Sequence, residues 1–338
     1  MADAIKNLFD AIWRTKMIPK MLTDGVCTMV HKHGPTEKLS NYRGLTILNS
    51  LSKVLENVLK QRLSPLCEEQ LHDSQSGFRP LRRCADQHFL VSELLTNRRE
   101  LGLPTLLVFI DVKKAYDVVW TQGLWAKLAK FHVSGTILEL LKVWTSNINR
   151  RARVESELSE PFTLGRGVPQ GGVLSPLLYT VFINDLLEEL AETKCGVELA
   201  GITVSSLSFA DDLTLLAASP EQVRTLLAVL DRHSSAWQYE INVAKSAVMV
   251  VGTPTQEKCL GQEVFDFRGQ RLQLDQDYTC LGIAGSALRG KPTRFVNSRV
   301  QSAKNKLRAP KWSVWGSIQW HQTNHSSRHL ERANPPGP

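Results

Sequence analysis

The chain has no cysteine framework. Its six cysteines, at positions 27, 67, 84, 195, 259 and 280, stand neither at zinc-ligand spacings nor in a disulfide pattern. A metal finger and a stapled secreted fold are therefore not indicated, and a reducing compartment fits. No apolar run is long enough to span a bilayer and no secretory signal is present, so no membrane partner is expected. There is no internal repeat. Acidic residues are in deficit: 33 Asp and Glu against 41 Lys and Arg leave a net charge of +8. That balance suits a nucleic-acid partner, because phosphate neutralisation dominates such affinities.

The most informative feature present is Phe209-Ala210-Asp211-Asp212, set between the apolar runs Val204–Phe209 and Leu213–Ala218. Two apolar runs separated this closely predict a tight strand-to-strand turn carrying the acidic doublet. A third acid, Asp111, closes the run Leu106–Ile110. An Asp-Asp pair in a turn is by itself ordinary turn chemistry, and an Asp after a strand often caps the next helix. Three carboxylates on rigid strands, however, are also what hard cations require.

Further blocks follow in order. They are Asn41-Tyr42-Arg43-Gly44, Gln75-Ser76-Gly77-Phe78-Arg79, Phe109 to Asp117, Gly167 to Pro176, Asn242 to Ser246 and Tyr278 to Gly282. Together with the doublet this ordered set resembles the reverse transcriptases of LINE-type, non-LTR retrotransposons, over about residues 1 to 310. Phe209 stands where the family commonly carries Tyr.

The resemblance implies an α+β right-hand polymerase with fingers, palm and partial thumb. Its palm is expected to be an RRM/ferredoxin-like antiparallel sheet backed by helices, with the carboxylates on its open face. The implied divisions are fingers at 1–103, palm at 104–120, a fingers/palm insertion at 121–163, palm at 164–283 and partial thumb at 284–312. The tail at 313–338, rich in His, Asn, Ser and Pro, is expected to be disordered.

The implied reaction is extension of a DNA primer on an RNA template with dNTPs, using two Mg²⁺ or Mn²⁺ ions roughly 3.5–4 Å apart. Asp111, Asp211 and Asp212 are the implied metal ligands, and Lys245 an aid to proton transfer at the leaving pyrophosphate. Tyr116 is implied to close space beside the sugar 2′ position, Gln170 to contact the nucleotide, and Gly171 to let template and base pair approach. Arg43, with Lys32 and Arg79, would neutralise phosphates, Arg by bidentate contact. Ser175-Pro176 reads as a helix N-cap followed by Pro at the first helical position.

No endonuclease block stands at either end, so other domains of a longer retroelement protein are expected partners, and nuclear localisation follows from how such elements integrate. An RNA-dependent RNA polymerase is disfavoured by Tyr116, Ala210 and Pro169-Gln170-Gly171. A catalytically inactive, truncated remnant that only binds nucleic acid is the alternative.

Periodicity predicts helices at about 2–15, 50–63, 84–101, 121–131, 134–148, 175–192, 220–238 and 294–309. Strands are expected at about 26–31, 104–111, 152–155, 161–165, 204–210, 213–218 and 247–252, and a hairpin at 264–274 turning on Arg268-Gly269. The fingers are expected to be mostly helical.

Overall fold

A computed structural model describes residues 2–32, 34–154, 156–276, 278–280 and 283–284. The expected thumb helix and the tail lie outside the described residues, as do Leu281 and Gly282 of the Tyr278–Gly282 block. The chain opens with α1 (Ala2–Thr15) and the single turn α2 (Lys20–Thr23), then the hairpin β1 (Asp24–His31) and β2 (Tyr42–Leu48). Helices α3 (Ser50–Glu68) and α4 (Cys84–Glu100) lead into β3 (Thr105–Asp111). Helices α5 (Thr121–Lys130) and α6 (Gly135–Ser146) precede β4 (Asn149–Val154), β5 (Glu157–Leu158) and β6 (Phe162–Thr163). Next come α7 (Ser175–Glu192), β7 (Val197–Leu199), β8 (Ile202–Val204), β9 (Ser206–Phe209) and β10 (Asp212–Ala217). Then follow α8 (Pro220–Ala236), β11 (Ala247–Val251), α9 (Pro254–Leu260), β12 (Asp266–Phe267), β13 (Gln270–Arg271) and β14 (Gln273–Leu274).

Two sheets organise these elements. The first runs β2-β1-β4-β5, with β6 also on β4. β4 joins parallel to β1, with Arg150 beside Gly25, so residues some 120 apart in sequence share one surface. This early region thus carries a sheet beside its helices, which still make up most of its regular structure, as expected. β2 was invisible to periodicity because Gly44 interrupts it and its burial does not alternate cleanly. Alternation does act on β4: Arg151 and Arg153 are exposed, whereas Arg150 is buried.

The second sheet runs β14-β11-β3-β10-β9 and is antiparallel except for the β14–β11 pair. β3 sits at its centre and is buried from Thr105 to Ile110. A continuous buried run requires cover on both faces. Leu106, Val108 and Ile110 face the main core with Leu186, Leu187, Leu226 and Leu230 of α7 and α8. Leu107 and Phe109 face Leu94 and Leu95 of α4, with Met249 and Leu216. The expectation of one open sheet face is thus corrected: α4 packs on it.

α3 continues past its expected end through Pro65, because Leu63 and Cys67 on its last turns are fully buried. The β12–β13 turn does lie at Arg268-Gly269, with positive φ at both residues (50° and 73°), the conformation that a two-residue hairpin demands.

Candidate active site

The acidic doublet is divided between loop and strand. Phe209 pairs with Asp212, so Ala210 and Asp211 form a two-residue loop and Asp212 is the first residue of β10. Asp212 also pairs with Asp111 across to β3. The three acids therefore occupy adjoining backbone positions at the end of the sheet, where α4 begins: the Cys84 thiol feels the charge of Asp212.

Asp111 is held from the other side by the turn at 242–246. Asn242 Nδ2 donates to Asp111 Oδ2 at 2.8 Å, the Asn242 amide donates to the Asp111 carbonyl at 2.8 Å, and the Asp111 amide donates to Ser246 Oγ at 3.1 Å.

Among the described residues no salt bridge reaches Asp111, Asp211 or Asp212. Loss of hydration at the sheet edge, then the negative charges of Asp211 and Asp111, push Asp212 up to about 6, although its side chain reaches solvent. Among the described residues no three His, Cys, Asp or Glu side chains form a ready-made metal cage.

The opposite wall carries cations. Lys32 is lowered first by loss of hydration and then by Arg43 and Lys245, against the pull of Asp111 and Asp211. Those three cations therefore share one electrostatic neighbourhood with two of the acids, and all three are exposed.

Tyr116 lies between these groups. Its ring stacks on Tyr179 at 5.4 Å, and burial, then the Asp211 charge, push its hydroxyl up to about 12. The strap after β6 fixes its backbone: the Val168 amide donates to the Tyr116 carbonyl at 2.8 Å. The half-buried Gln170 is tied by its carbonyl to the Thr46 amide at 2.7 Å. Gly171 has φ +112°, and a Cβ there would meet the Thr46 carbonyl at 2.8 Å. The glycine thus lets the loop approach β2, and no side chain fits at that position.

Two sequence-based readings need correction. Arg79 is only 9% exposed. It pairs with Glu68 at 2.8 Å and donates to the carbonyls of Leu71, His72 and Gln75. It is thus occupied in holding the chain after α3 and is not available to phosphate. Ser175 is not an N-cap but the first residue of α7, after Leu174, and its buried hydroxyl makes no hydrogen bond.

The loop is instead held by Glu56, a residue with no local pattern that would single it out. Its side chain is fully buried, and Oε2 accepts from the Val173 amide at 2.8 Å. An anion at the start of α7 is favourably placed. Gln75, Asn242 and Ser246 stood in recognised blocks, but no role was assigned to them there; only their contacts show one.

The helix-covered sheet with its carboxylate-bearing hairpin defines a polymerase of the right-hand class. The fold agrees with solved structures: apo telomerase from Candida tropicalis superposes with a TM-score of 0.53 at 14% identity, over 80% of this chain and 53% of that one. The profile of the family described as reverse transcriptase (RNA-dependent DNA polymerase) matches residues 30–272, and the chain belongs to that family.

Its similar curated proteins come from non-LTR retrotransposons. The probable RNA-directed DNA polymerase from transposon BS of Drosophila melanogaster is 32% identical over 249 residues, 71% of this chain and 27% of that protein. The RNA-directed DNA polymerase from mobile element jockey of Drosophila melanogaster is 25% identical over 319 residues, 91% of this chain and 33% of that protein. The chain thus spans 27% to 33% of the length of these two relatives.

Proposed function

We propose that the chain extends a DNA primer on an RNA template with dNTPs. The observation that carries this is the placement of Asp111 opposite Asp212, with Asp211 in the intervening loop. All the donors are carboxylate oxygens, the ligand type that Mg²⁺ and Mn²⁺ take, and their mutual repulsion is what cations would relieve. Asp111, Asp211 and Asp212 would hold two such ions, which when bound activate the primer hydroxyl and stabilise the departing pyrophosphate.

The chain's own residues supply position and charge, which carry most phosphoryl-transfer catalysis. Lys32, Arg43 and Lys245 face the acids and neutralise triphosphate, with Lys245 on the very turn that grips Asp111. Tyr116, fixed by Tyr179 and the 167–168 strap, excludes a ribose hydroxyl by occupying its space. Gln170 and Gly171 border the nucleotide and template. On this reading the second sheet is the palm (104–120 and 164–283) and the first sheet belongs to the fingers (1–103 and 121–163). The parallel joining of β4 to β1 supports that division. The RNA template, the endonuclease-bearing remainder of a retroelement protein and a nuclear site of action belong to the same proposal.

The test is primer extension by the full chain on RNA with dNTPs and Mg²⁺ or Mn²⁺. Metal-dependent extension is expected. A folded chain that binds nucleic acid but extends nothing would establish the remnant reading instead.

A further inference from the structure

Ala210, the first residue of the metal-binding loop, has φ +61°. Left-handed backbone is unfavourable for any residue with a Cβ, and such conformations persist only where the surroundings hold them. At the first position of a two-residue hairpin loop with a positive φ, glycine is the favoured residue. Here the surroundings centre on one side chain, with the Ser208 hydroxyl donating to the Ala210 carbonyl at 3.3 Å.

Gln75 is fully buried. Its Oε1 accepts from the Ala210 amide at 3.0 Å and from the Gly77 amide at 2.8 Å. Its Nε2 donates to Ser208 Oγ at 3.0 Å. Two backbone N–H groups converge on one atom, so that atom must be the carbonyl oxygen and the amide orientation is fixed. The Ser76 amide and Gln87 Nε2 both donate to the Ser208 carbonyl, at 2.8 and 2.6 Å, one residue before Phe209. Gly77 closes the contact: a Cβ there would lie 2.1 Å from the Ala210 nitrogen.

We propose that Gln75, backed by Gly77, is the positioning residue of the Asp211–Asp212 turn, locking the Ala210 amide so that the two carboxylates stand ready for metal. This rests on the reading under Proposed function. The residue type follows from the chemistry. The site needs an acceptor for two amides and a donor for Ser208 within one neutral group. Glutamate would lose the donor and add a fourth negative charge beside three acids. Leucine fills similar volume but satisfies neither amide.

The test compares the full chain with Gln75→Leu, and reads Mn²⁺ affinity by paramagnetic resonance without nucleotide, steady-state extension, and melting temperature. The expected result is Mn²⁺ binding weakened about tenfold or more and kcat lowered by a similar factor, the scale of one lost buried hydrogen bond. KM for dNTP should stay within about twofold, since uniform binding is untouched. A variant that melts lower but keeps its Mn²⁺ affinity and kcat would overturn the proposal and leave Gln75 a packing residue.

Hydrogen exchange at the Ala210 amide of the unsubstituted chain decides independently of whether the variant folds. Strong protection is expected, and free exchange would overturn the lock. If the unsubstituted chain neither binds Mn²⁺ nor extends primer, the polymerase reading fails, while Ala210 protection still reports on the lock.

Discussion

Two constellations of charged and polar side chains in this protein behave in opposite ways. At the end of β3 and β10, Asp111, Asp211 and Asp212 lie together with no direct ion pair among the described residues, and Asp212 is pushed up to about 6 by lost hydration and its neighbours' charges. Among α5, α7 and α8, the charges are matched. Lys127, 2% exposed, donates to Asp185 at 2.5 Å and lies 3.6 Å from the Trp237 ring centroid. His233 joins Asp185 at 2.9 Å and the Tyr239 hydroxyl at 2.8 Å. Burial alone would raise Asp185, but the His233 hydrogen bond and the Lys127 charge outweigh it and leave the carboxyl below its usual range. Burial lowers Lys127 to about 8, against the pull of Asp185. Matched charges hold helices together, whereas the unmatched set is where a cationic ligand gains most.

The sharpest way to break this contrast is to remove one member from each set. Asp211→Asn should lower extension by about 10²–10³-fold or more, the scale of losing one preorganised electrostatic contact in a transition state, with little change in urea midpoint. Lys127→Met should do the reverse. It leaves Asp185 with His233 alone, and breaking a buried pair typically destabilises by about 3–5 kcal/mol, measurable by urea unfolding. Extension per folded molecule should be nearly unchanged.

Smaller effects sharpen the comparison. Tyr116→Ala opens the space beside Tyr179 and should raise rNTP use relative to dNTP by about 10–200-fold, the range for a steric pocket contact. Arg79→Lys keeps the charge but not the fork of donors to Glu68 and three carbonyls. It should destabilise by about 1–3 kcal/mol without changing KM for dNTP, whereas a phosphate role would raise KM.

The smallest effect is a pH dependence. The folded-state pKa of Asp185 is depressed, so its contribution is present above the unfolded value of about 3.9 and is lost as pH falls through the folded value. The stability gap between the unsubstituted chain and Asp185→Asn should therefore be full at pH 6 and close below about pH 4, as followed by urea midpoints.

The limits of the sequence follow the same contrast. The acids were legible because they stand as polar residues at the ends of apolar runs, where nothing about packing explains them. Tyr116, Gln170 and Gly171 were legible as parts of ordered blocks; the structure sets Tyr116 in the charge field of Asp211 and Arg43 and brings Gln170 and Gly171 against Thr46 of β2. The long helices were legible from their apolar spacing, apart from the extension of α3 through Pro65.

What could not be read was partnership across long separations. Gln75 meets Ala210 from 135 residues away, Glu56 meets Val173 from 117 and Asn242 meets Asp111 from 131. No local pattern encodes such contacts. Arg79 illustrates the converse: a block arginine invites a phosphate reading until its burial and four protein acceptors are seen. β2 escaped because its burial pattern follows neither strand alternation nor a helical period.

The most direct test sets two single substitutions side by side, Asp211→Asn and Asp185→Asn, each removing one carboxylate charge from a half-buried position on the same chain. Melting temperature and RNA-templated primer extension with Mg²⁺ are measured on both. The account predicts a crossover. Asp211→Asn should melt at or above the unsubstituted temperature, because like-charge repulsion is relieved, and extend nothing. Asp185→Asn should melt lower and still extend at temperatures where it remains folded. An Asp211→Asn protein that extends normally, or an Asp185→Asn protein that is folded yet inactive, would contradict it.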